Sequence, residues 1–228
     1  CLEHLRWVRH HIDNCWRYAP EKNKAVKQHD ALVAWDEDER KAADVDGFIT
    51  LGDLPNGFVD FVAGSGIPTV TFNRDYTDRG LASVFVGLDS VRELVQATYR
   101  AGRRRFLFVA DELMGSVRSI RYAAYRGAVV ELGLSEPVNL TFESAELKAR
   151  RLKPELRELF EWSDFVFAPH DRIAVPLLQT LSANGFDVPA DVGVCGYDDT
   201  PAGRHCHVPV TSIAYDMEEA AKVLFRAL

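Results

Sequence analysis

The sequence predicts an α/β fold in which mostly parallel sheets carry helices on both faces. Short apolar runs of strand length alternate with segments of helical periodicity along most of the chain, and this alternation is typical of βαβ units. Several helix-length segments end at a glycine, as at Gly102, Gly133 and Gly185, a residue that readily adopts a left-handed helix cap. With 228 residues, 47% of them hydrophobic, the chain can bury a large core as one domain or two lobes.

The first part of the chain is predicted to contain two helices and four short strands. Apolar residues at helical spacing mark one face of an opening helix, namely Leu5, Val8, Ile12 and Trp16. Residues 53–62 suit a second helix. Apolar segments predict buried strands at residues 31–35, 47–51, 68–73 and 83–86.

The rest of the chain continues the alternation. Helical periodicity predicts helices at residues 91–101, 120–132, 145–162 and 173–184 and a final helix from Met217. Apolar runs predict strands at residues 105–110, 165–168 and 192–195. In such sheets ligands collect beyond the carboxyl ends of the strands, so polar residues there mark a site. These residues are Asn73, Asp89, Asp111, His170, Asp171, Asp198 and Asp199.

Residues 187–199 contain a turn, a buried strand and two carboxylates at the end of that strand. Pro189 marks the turn, and Gly196 lets the backbone pass close to a neighbouring element. Asp198 can accept hydrogen bonds from ring hydroxyls, whereas Asp199 is better placed for local backbone or an opposite lobe. On sequence alone, a pair of turn-capping aspartates is an equally good interpretation.

Composition limits the classes of function. The chain has 34 acidic and 27 basic residues and a net charge of −7. It therefore lacks the positive field on which nucleic-acid affinity depends. Contact with DNA would need a local basic patch or residues outside the chain. Its scattered cysteines, Cys1, Cys15, Cys195 and Cys206, favour reduced thiols in the cytoplasm over a disulfide framework. No apolar run approaches ~18 residues, and the first residues, with Glu3, His4 and Arg6, lack the apolar stretch of a signal peptide.

Three short motifs have alternative interpretations. His205-Cys206-His207 contains zinc-ligating residue types, but a fourth ligand with metal-type spacing is missing. The arginines at residues 103–105 could bind phosphate, although a solvated turn before a strand is the better interpretation. The glycines at residues 64–66 precede a strand and do not open a helix, so they fail the test for a dinucleotide loop.

Residues 184–199 closely resemble the most diagnostic stretch of the LacI/GalR (lactose and galactose repressor) family of bacterial transcription regulators. Their sequence is Asn-Gly-Phe-Asp-Val-Pro-Ala-Asp-Val-Gly-Val-Cys-Gly-Tyr-Asp-Asp. Other segments resemble the family in the same order and spacing, at residues 45–49, 67–74, 101–109, 121–126 and 209–213. The opening helix and residues 35–38 look like the branch around the evolved β-galactosidase repressor.

The resemblance implies a two-lobed, periplasmic-binding-protein-like (type I) clamp. It places an incomplete first lobe at residues 1–85 and 214–228 and a second lobe at residues 86–213, with the N-terminal helix-turn-helix head absent from this chain. The implied function is effector binding and dimerisation in a cytoplasmic DNA-binding transcriptional regulator, which senses a small carbohydrate-like ligand in the interlobe cleft and is not an enzyme. The implied partners are a sugar or sugar derivative, a second copy in a homodimer, and operator DNA through the missing head. No cofactor, metal or membrane contact is expected.

The resemblance also assigns roles to single residues. Arg121 matches the family's sugar-contacting arginine, although without the resemblance a solvated helix arginine is the better interpretation. Asn73 matches a position where the family often has a sugar-contacting aspartate, and Met217 falls where an aromatic ring sometimes stacks on the effector. For Met217 a core role is equally good. The implied effector contacts are Asn73, Arg121, His170, Asp171, Asp198 and Met217.

His170 departs from the family pattern, which usually has Asn-Asp where this chain has His170-Asp171. A buried structural histidine is as good an interpretation as a ligand contact. The imidazole shifts the expected effector slightly towards a modified or acidic sugar. Because histidine titrates near neutral pH, the sequence also predicts that His170 changes effector affinity between pH 6 and 8.

Two other functions fit parts of the pattern. An extracytoplasmic sugar-binding protein of a transporter shares the clamp, but residues 188–199 look more like a regulator. A magnesium-dependent phosphoryl-transfer enzyme could use Asp171, Asp198 and Asp199 as ligands. No nucleophile motif or phosphate loop accompanies these three carboxylates.

Overall fold

The computed structural model describes residues 46–52, 54, 56–111, 116–142 and 149–228. The predicted opening helix and the strand at residues 31–35 lie outside the described residues. The chain divides into two compact units. One runs to Val86 and takes in residues 216–228, and the other consists of residues 87–215.

The first unit contains a parallel sheet of three described strands in the order β1-β2-β3. Its elements up to Val86 are β1 (Phe48–Leu51), α1 (Asn56–Gly64), β2 (Thr69–Phe72), a 3-10 helix (Thr77–Arg79) and β3 (Ala82–Val84). All four residues of β2, the central strand of the three, are buried. A small apolar core forms around Val59 and Val62 of α1, which pack with Tyr76 and Leu81.

The second unit is built on a five-stranded parallel sheet. Its helices are α2 (Leu88–Arg100), α3 (Ser116–Glu131), α4 (Pro154–Trp162), α5 (Asp171–Ala183) and α6 (Pro201–Arg204). Its strands are β4 (Phe106–Asp111), β5 (Val138–Phe142), β6 (Phe165–Phe167), β7 (Gly193–Tyr197) and β8 (Thr211–Ile213). They lie in the order β5-β4-β6-β7-β8. The predicted α/β class with parallel sheets is confirmed.

Strand β4 shows how the sequence produces helices on both faces. All six of its residues are buried, as expected for an interior strand of a parallel sheet. Phe106 and Phe108 pack in the cluster that includes α2 and α3, whereas Leu107 and Val109 pack in the cluster that includes α4 and α5. Because side chains alternate along a strand, one continuous apolar run provides both cores.

The order of the strands locates the expected ligand site of this unit. The chain passes from β4 outward to β5 and then returns to the opposite side of β4 as β6. Helix α3, which follows β4, and α5, which follows β6, pack in different clusters on opposite faces. The carboxyl ends of β4 and β6 therefore flank a topological switch point, where α/β sheets form a ligand-binding crevice.

The chain returns to the first unit as α7 (Met217–Ala227). Asp216 caps this helix by accepting hydrogen bonds from the backbone N–H groups of Glu218 and Glu219, at 2.8 and 3.1 Å. Helix α7 packs against β2 and β3, and Ala220, Ala221 and Leu224 are buried.

The predicted continuous helix at residues 145–162 is wrong in its described part. Arg150 has a φ of 52°, and Lys153 is extended before α4 begins at Pro154. Proline lacks the N–H that a helix interior needs and disfavours helical backbone in the residue before it. A new helix therefore begins at this proline.

Three short elements were not predicted from the sequence. Strand β5 contains apolar residues at alternate positions, Val138, Leu140 and Phe142, and this period of two was the available signal. Helix α6 has four residues and β8 has three, too few for a periodic pattern to be recognised.

Candidate functional site

Polar side chains converge in the second unit at the carboxyl ends of its central strands. His170 and Asp171 follow β6, Asp198 follows β7, and Asp111 is the last residue of β4. Arg121 joins them from α3. The structure thus brings together Arg121, His170, Asp171 and Asp198, four of the six predicted effector contacts.

Arg121 is held on three sides. Its side chain is 3% exposed, so the alternative of a solvated helix arginine is wrong. Its Cζ lies 3.5 Å from the centroid of the Tyr197 ring, a stacking that suits a planar guanidinium. Nη1 donates to the carbonyl oxygen of Pro169, and Nη2 lies 3.5 Å from Oδ1 of Asp198.

Asp198 sits in a strained and largely buried position. It has a φ of 91°, and Asp199 follows with a φ of 48°, in the left-handed region that L-residues rarely adopt and that often marks functional sites. The Asp198 side chain is 8% exposed, and its backbone N–H donates to Ile213 at 2.9 Å. The turn after β7 therefore holds the carboxylate in a defined place.

Burial dominates the electrostatics of Asp198. It raises the pKa of the Asp198 carboxyl to about 6, although the neighbouring Arg121 acts in the opposite direction. The charge of Asp171 raises this pKa further, and the nearby donor groups of Tyr215 and Arg121 lower it. At neutral pH the carboxyl is mostly ionised, but it lies close to its titration point.

His170 caps helix α5. Its Nδ1 accepts a hydrogen bond from the backbone N–H of Arg172 at 2.9 Å, and its Nε2 lies 3.1 Å from Oδ2 of Asp198. Burial lowers the pKa of His170 to about 3, and the charges of Arg172 and Arg121 act in the same direction. The prediction that His170 titrates between pH 6 and 8 is therefore wrong for this environment.

Asp171 has a structural task in the turn after β7. Its side chain is buried, its Oδ2 accepts from N–H and Oγ1 of Thr200 at 2.6 and 3.0 Å, and its Oδ1 accepts from Oγ of Ser212 at 2.7 Å. Ser212 Oγ also accepts from the backbone N–H of Asp199 at 2.9 Å. These four hydrogen bonds tie the turn after β7 to α5 and β8, and contact of Asp171 with a ligand stays a prediction.

Two further acidic residues at the strand ends are paired with arginines. Asp199 accepts hydrogen bonds from Arg204 of α6, in an exposed ion pair that closes the same turn. Arg172 approaches Asp111 at 2.7 and 3.4 Å with its two terminal nitrogens, and Asp111 is buried. Asp89, by contrast, lies in the first turn of α2 and not at a strand end.

Two tyrosines complete the cluster and were not singled out in the sequence. Tyr197 stacks on Arg121, and the ring of Tyr215 lies beside the Tyr197 ring, with the two ring centroids 5.9 Å apart. Burial raises the pKa of Tyr197 to about 12 and raises that of Tyr215 as well, so both hydroxyls keep their protons. A Cβ on Gly87 would overlap the Tyr197 hydroxyl, so this glycine provides space for the ring.

The other two predicted contacts lie in the first unit. Asn73 follows β2 with a φ of 55°, its N–H donates to Val84 at 2.8 Å, and its Oδ1 lies 3.4 Å from the N–H of Val86. Met217 begins α7 and packs with Leu51 and Ala221. Their contact with a ligand stays a prediction.

The arginines at residues 103–105 have structural partners. Arg103 donates to the carbonyls of Pro189, Ala190 and Asp191, and Arg104 stacks on Tyr99 with its Cζ 3.9 Å from the ring centroid. Within the described ranges, no group of three or more His, Cys, Asp or Glu side chains is arranged to hold a metal ion. Nor does any described helix have the length and apolar character needed to cross a membrane.

Comparison with known proteins gives consistent matches. Residues 95–228 match the family model described as periplasmic binding protein-like domain. The chain is 28% identical over 175 residues to the HTH-type transcriptional regulator CelR of Thermobifida fusca, an alignment that covers 72% of this chain and 50% of that protein. It is 28% identical over 188 residues to the ribose operon repressor of Bacillus subtilis strain 168, with 79% and 56% covered. The chain thus spans about half the length of these curated relatives.

Solved structures agree with this match. The transcriptional regulator CelR in complex with cellobiose superposes on the chain with a TM-score of 0.68 at 25% identity, covering 88% of this chain and 62% of that one. An uncharacterised protein from Actinobacillus succinogenes superposes with a TM-score of 0.70 at 19% identity, covering 89% and 75%.

Proposed function

The chain belongs to the family of periplasmic binding protein-like domains, its relatives are LacI/GalR-type transcriptional regulators, and from that premise we propose that it is the effector-binding part of such a regulator. The observation that carries the proposal is the cluster of Arg121, His170 and Asp198 at the switch point of the sheet. In this proposal a small carbohydrate-like molecule binds there, and the domain acts as a sensor without catalysis.

The chemistry of the cluster suits a polyhydroxylated ligand. The carboxylate of Asp198 accepts hydrogen bonds from hydroxyl groups, and Arg121 presents several N–H donors in a fixed plane. A sugar hydroxyl both donates and accepts, so adjacent hydroxyls match an acceptor beside a donor. The strained backbone of Asp198 is consistent with a carboxylate positioned for binding.

A neutral sugar fits the charges better than an acidic one. Arg121 already faces Asp198, and Arg172 faces Asp111. An anionic ligand would have to compete with these carboxylates for the two arginines. We therefore propose a neutral sugar, in place of the modified or acidic sugar that His170 suggested from the sequence.

The three aspartates that a magnesium-dependent enzyme could use as ligands have separate partners in the structure. Asp171 is bound by Thr200 and Ser212, and Asp199 is paired with Arg204. Asp198 faces Arg121. Because each carboxylate has its own partner, the arrangement supports a sugar site rather than three converging ligands for magnesium.

A panel of ligands provides the test of the proposal. We expect a neutral sugar from the set cellobiose, glucose, galactose and ribose to raise the thermal midpoint by roughly 5–10 °C at a concentration 100 times its Kd. Glucuronate and glucose 6-phosphate should give smaller shifts at equal concentration, because both arginines are already paired. The proposal fails if a broad panel of neutral sugars leaves the midpoint unchanged.

Sugar affinity should depend on pH through Asp198. Because the pKa of this carboxyl is raised to about 6, acidification from pH 7 to 5 protonates it and removes an acceptor, so we expect affinity to fall about tenfold. Burial lowers the pKa of His170 and raises that of Tyr215, so neither of these groups facing Asp198 should give a second step between pH 6 and 8. Calorimetry at pH 5, 6, 7 and 8 measures this, with Asp198→Asn as the control that should be flat. A wild-type change centred above pH 7 would contradict the assignment.

We further propose that the whole protein acts as a homodimer in the cytoplasm and that operator DNA is bound by a segment outside this chain. The net charge of −7 gives this chain little attraction for DNA. Two-fold symmetric regulators match paired half-sites in an operator.

A further inference from the structure

We infer that His170 is a positioning residue, whose Nδ1 caps helix α5 and whose Nε2–H, 3.1 Å from Oδ2 of Asp198, stabilises that carboxylate electrostatically where a sugar hydroxyl meets it. The inference rests on the proposed function for the role of Asp198 as a ligand contact. It assigns His170 a task different from the direct contact predicted by the resemblance. Its first part, the location of the proton, concerns the free chain and is testable without any ligand.

The helix cap determines which nitrogen carries the proton. The backbone N–H of Arg172 donates to Nδ1 at 2.9 Å, so Nδ1 must present a lone pair. A neutral imidazole has one N–H, and that proton is then on Nε2. Nε2 lies 3.1 Å from Oδ2 of Asp198, close enough for electrostatic attraction although the pair is not aligned as a hydrogen bond.

The surrounding charges keep the imidazole neutral. Arg172 and Arg121 are positive neighbours of His170, and the ring is almost fully buried. A second proton on Nδ1 would also have to displace the cap, because a protonated nitrogen cannot accept from Arg172. The Nε2–H is therefore a permanent donor across the physiological pH range and does not switch.

The position of the proton determines which side chain of the cluster can accept a hydrogen bond from a ligand. Nδ1 accepts from Arg172 and Nε2 carries the proton, so His170 has no lone pair left for a ligand hydroxyl. Asp198 is then the acceptor, with Nε2 of His170 3.1 Å from its Oδ2 and Nη2 of Arg121 3.5 Å from its Oδ1. An asparagine, which the family usually has at this position, would present both a donor and an acceptor, so the histidine narrows the ways in which a ligand can be oriented.

Two substitutions separate the tasks of the two ring nitrogens. In His170→Asn the amide oxygen can take the place of Nδ1 and keep the cap, but no group reaches the position of Nε2. In His170→Gln the longer side chain can place an amide N–H near the position of Nε2, but the cap is lost. Asn184→Ala is the matched control, because Asn184 bonds the opposite end of the same helix, donating to Arg150 and Thr180.

The direct measurement is the tautomer of His170 by nitrogen NMR on the histidine-labelled chain, with the signal assigned from the spectrum of His170→Gln. We expect a single neutral Nε2–H tautomer from pH 5 to 8. A Nδ1–H tautomer, or a titration of the ring within this range, would overturn the inference. The tautomer is measured on the wild-type chain, and His170→Gln is needed only to assign the signal.

The second measurement is the titration of the Asp198 carboxyl by carbon NMR. In His170→Asn the midpoint should rise by about one pH unit, because the positive end of the N–H group beside the charged carboxylate is lost. In His170→Gln and Asn184→Ala it should stay at the wild-type value while the thermal midpoint falls by roughly 2–4 °C. An unchanged Asp198 midpoint in His170→Asn would show that Nε2 does not hold the carboxylate.

Binding of cellobiose links the inference to function. We expect its affinity to fall about tenfold in His170→Asn and to stay within about threefold of wild type in Asn184→Ala. If no sugar binds the wild-type chain, the proposed function fails, yet the tautomer and the Asp198 titration still decide whether His170 positions Asp198. If cellobiose binds equally well to His170→Asn, the positioning role is contradicted although the sugar site stands.

Discussion

Replacing Arg121 with methionine is expected to lower the free energy of unfolding by about 3–5 kcal/mol at pH 8, because it leaves the Asp198 carboxylate buried without its cation. The substitution also removes the stacking on Tyr197 and the hydrogen bond to Pro169. Sugar binding should be lost, since the donor plane of the cluster disappears. Urea unfolding of the chain measures the stability change.

The pH dependence of this change identifies its cause. In the wild type, burial raises the pKa of Asp198 to about 6 while Arg121 acts to lower it, so the pKa must rise further without the arginine. Below the raised pKa the carboxyl is protonated and neutral, and the destabilisation should be smaller at pH 5.5 than at pH 8. The double variant Arg121→Met/Asp198→Asn should recover much of the stability at pH 8, because it leaves no unpaired charge.

Arg126 provides the matched control on the same helix. It pairs with Glu136 on the surface, where its side chain is 48% exposed, and Arg126→Met should change stability far less than Arg121→Met, because solvent screens an exposed pair. Equal small effects of Arg121→Met and Arg126→Met would contradict the account of a buried pair.

Replacing Gly196 with alanine is expected to lower the free energy of unfolding by about 3 kcal/mol. An added Cβ would overlap Oδ1 of Asp171 and would lie 3.2 Å from Cβ of Ala174. The Asp171 carboxylate cannot move away without breaking its bonds to Thr200 and Ser212. Because those bonds hold the turn that carries Asp198, sugar affinity should fall as well, as calorimetry can measure.

Two controls test whether overlap with Asp171 causes the loss of stability in Gly196→Ala: a second glycine substitution and a double-mutant cycle. Gly127 lies inside α3 with open space around it, and Gly127→Ala should stabilise the chain by about 0.5–1 kcal/mol through helix propensity. The effect of Gly196→Ala should shrink in an Asp171→Ala background, where the overlap is gone. If the two glycine substitutions had the same sign, or the cycle showed no coupling, the close approach of Gly196 and Asp171 would be refuted.

The fold followed from local patterns where those patterns were long. The apolar run of β4 and the periodicity of α2 and α5 were predicted and are present. The predictions fail where contacts with the rest of the fold determine the secondary structure. Pro154 begins a new helix inside the segment predicted as one helix. The three residues of β8 form a strand only because they pair with β7.

The candidate site followed only in part from the sequence. The strand-end rule brought His170, Asp171 and Asp198 together correctly, because parallel strands end at one edge of a sheet. It could not assign the task of each, since Asp171 is occupied by Thr200 and Ser212, which are 29 and 41 positions away. The pKa of His170 likewise depends on its burial and on the charges of Arg172 and Arg121. The residue type alone reveals neither the burial nor the position of Arg121 in the fold.

The central claim is that the cluster of Arg121, His170 and Asp198 binds a neutral sugar. Calorimetric titration of cellobiose, or of whichever panel sugar gives the largest thermal shift, into the wild-type chain and the Arg121→Met/Asp198→Asn variant tests this claim most directly. The variant should unfold cooperatively near the wild-type midpoint and show no binding heat at a sugar concentration that saturates the wild type. Wild-type affinity in that variant, with both charged groups gone, would contradict the claim.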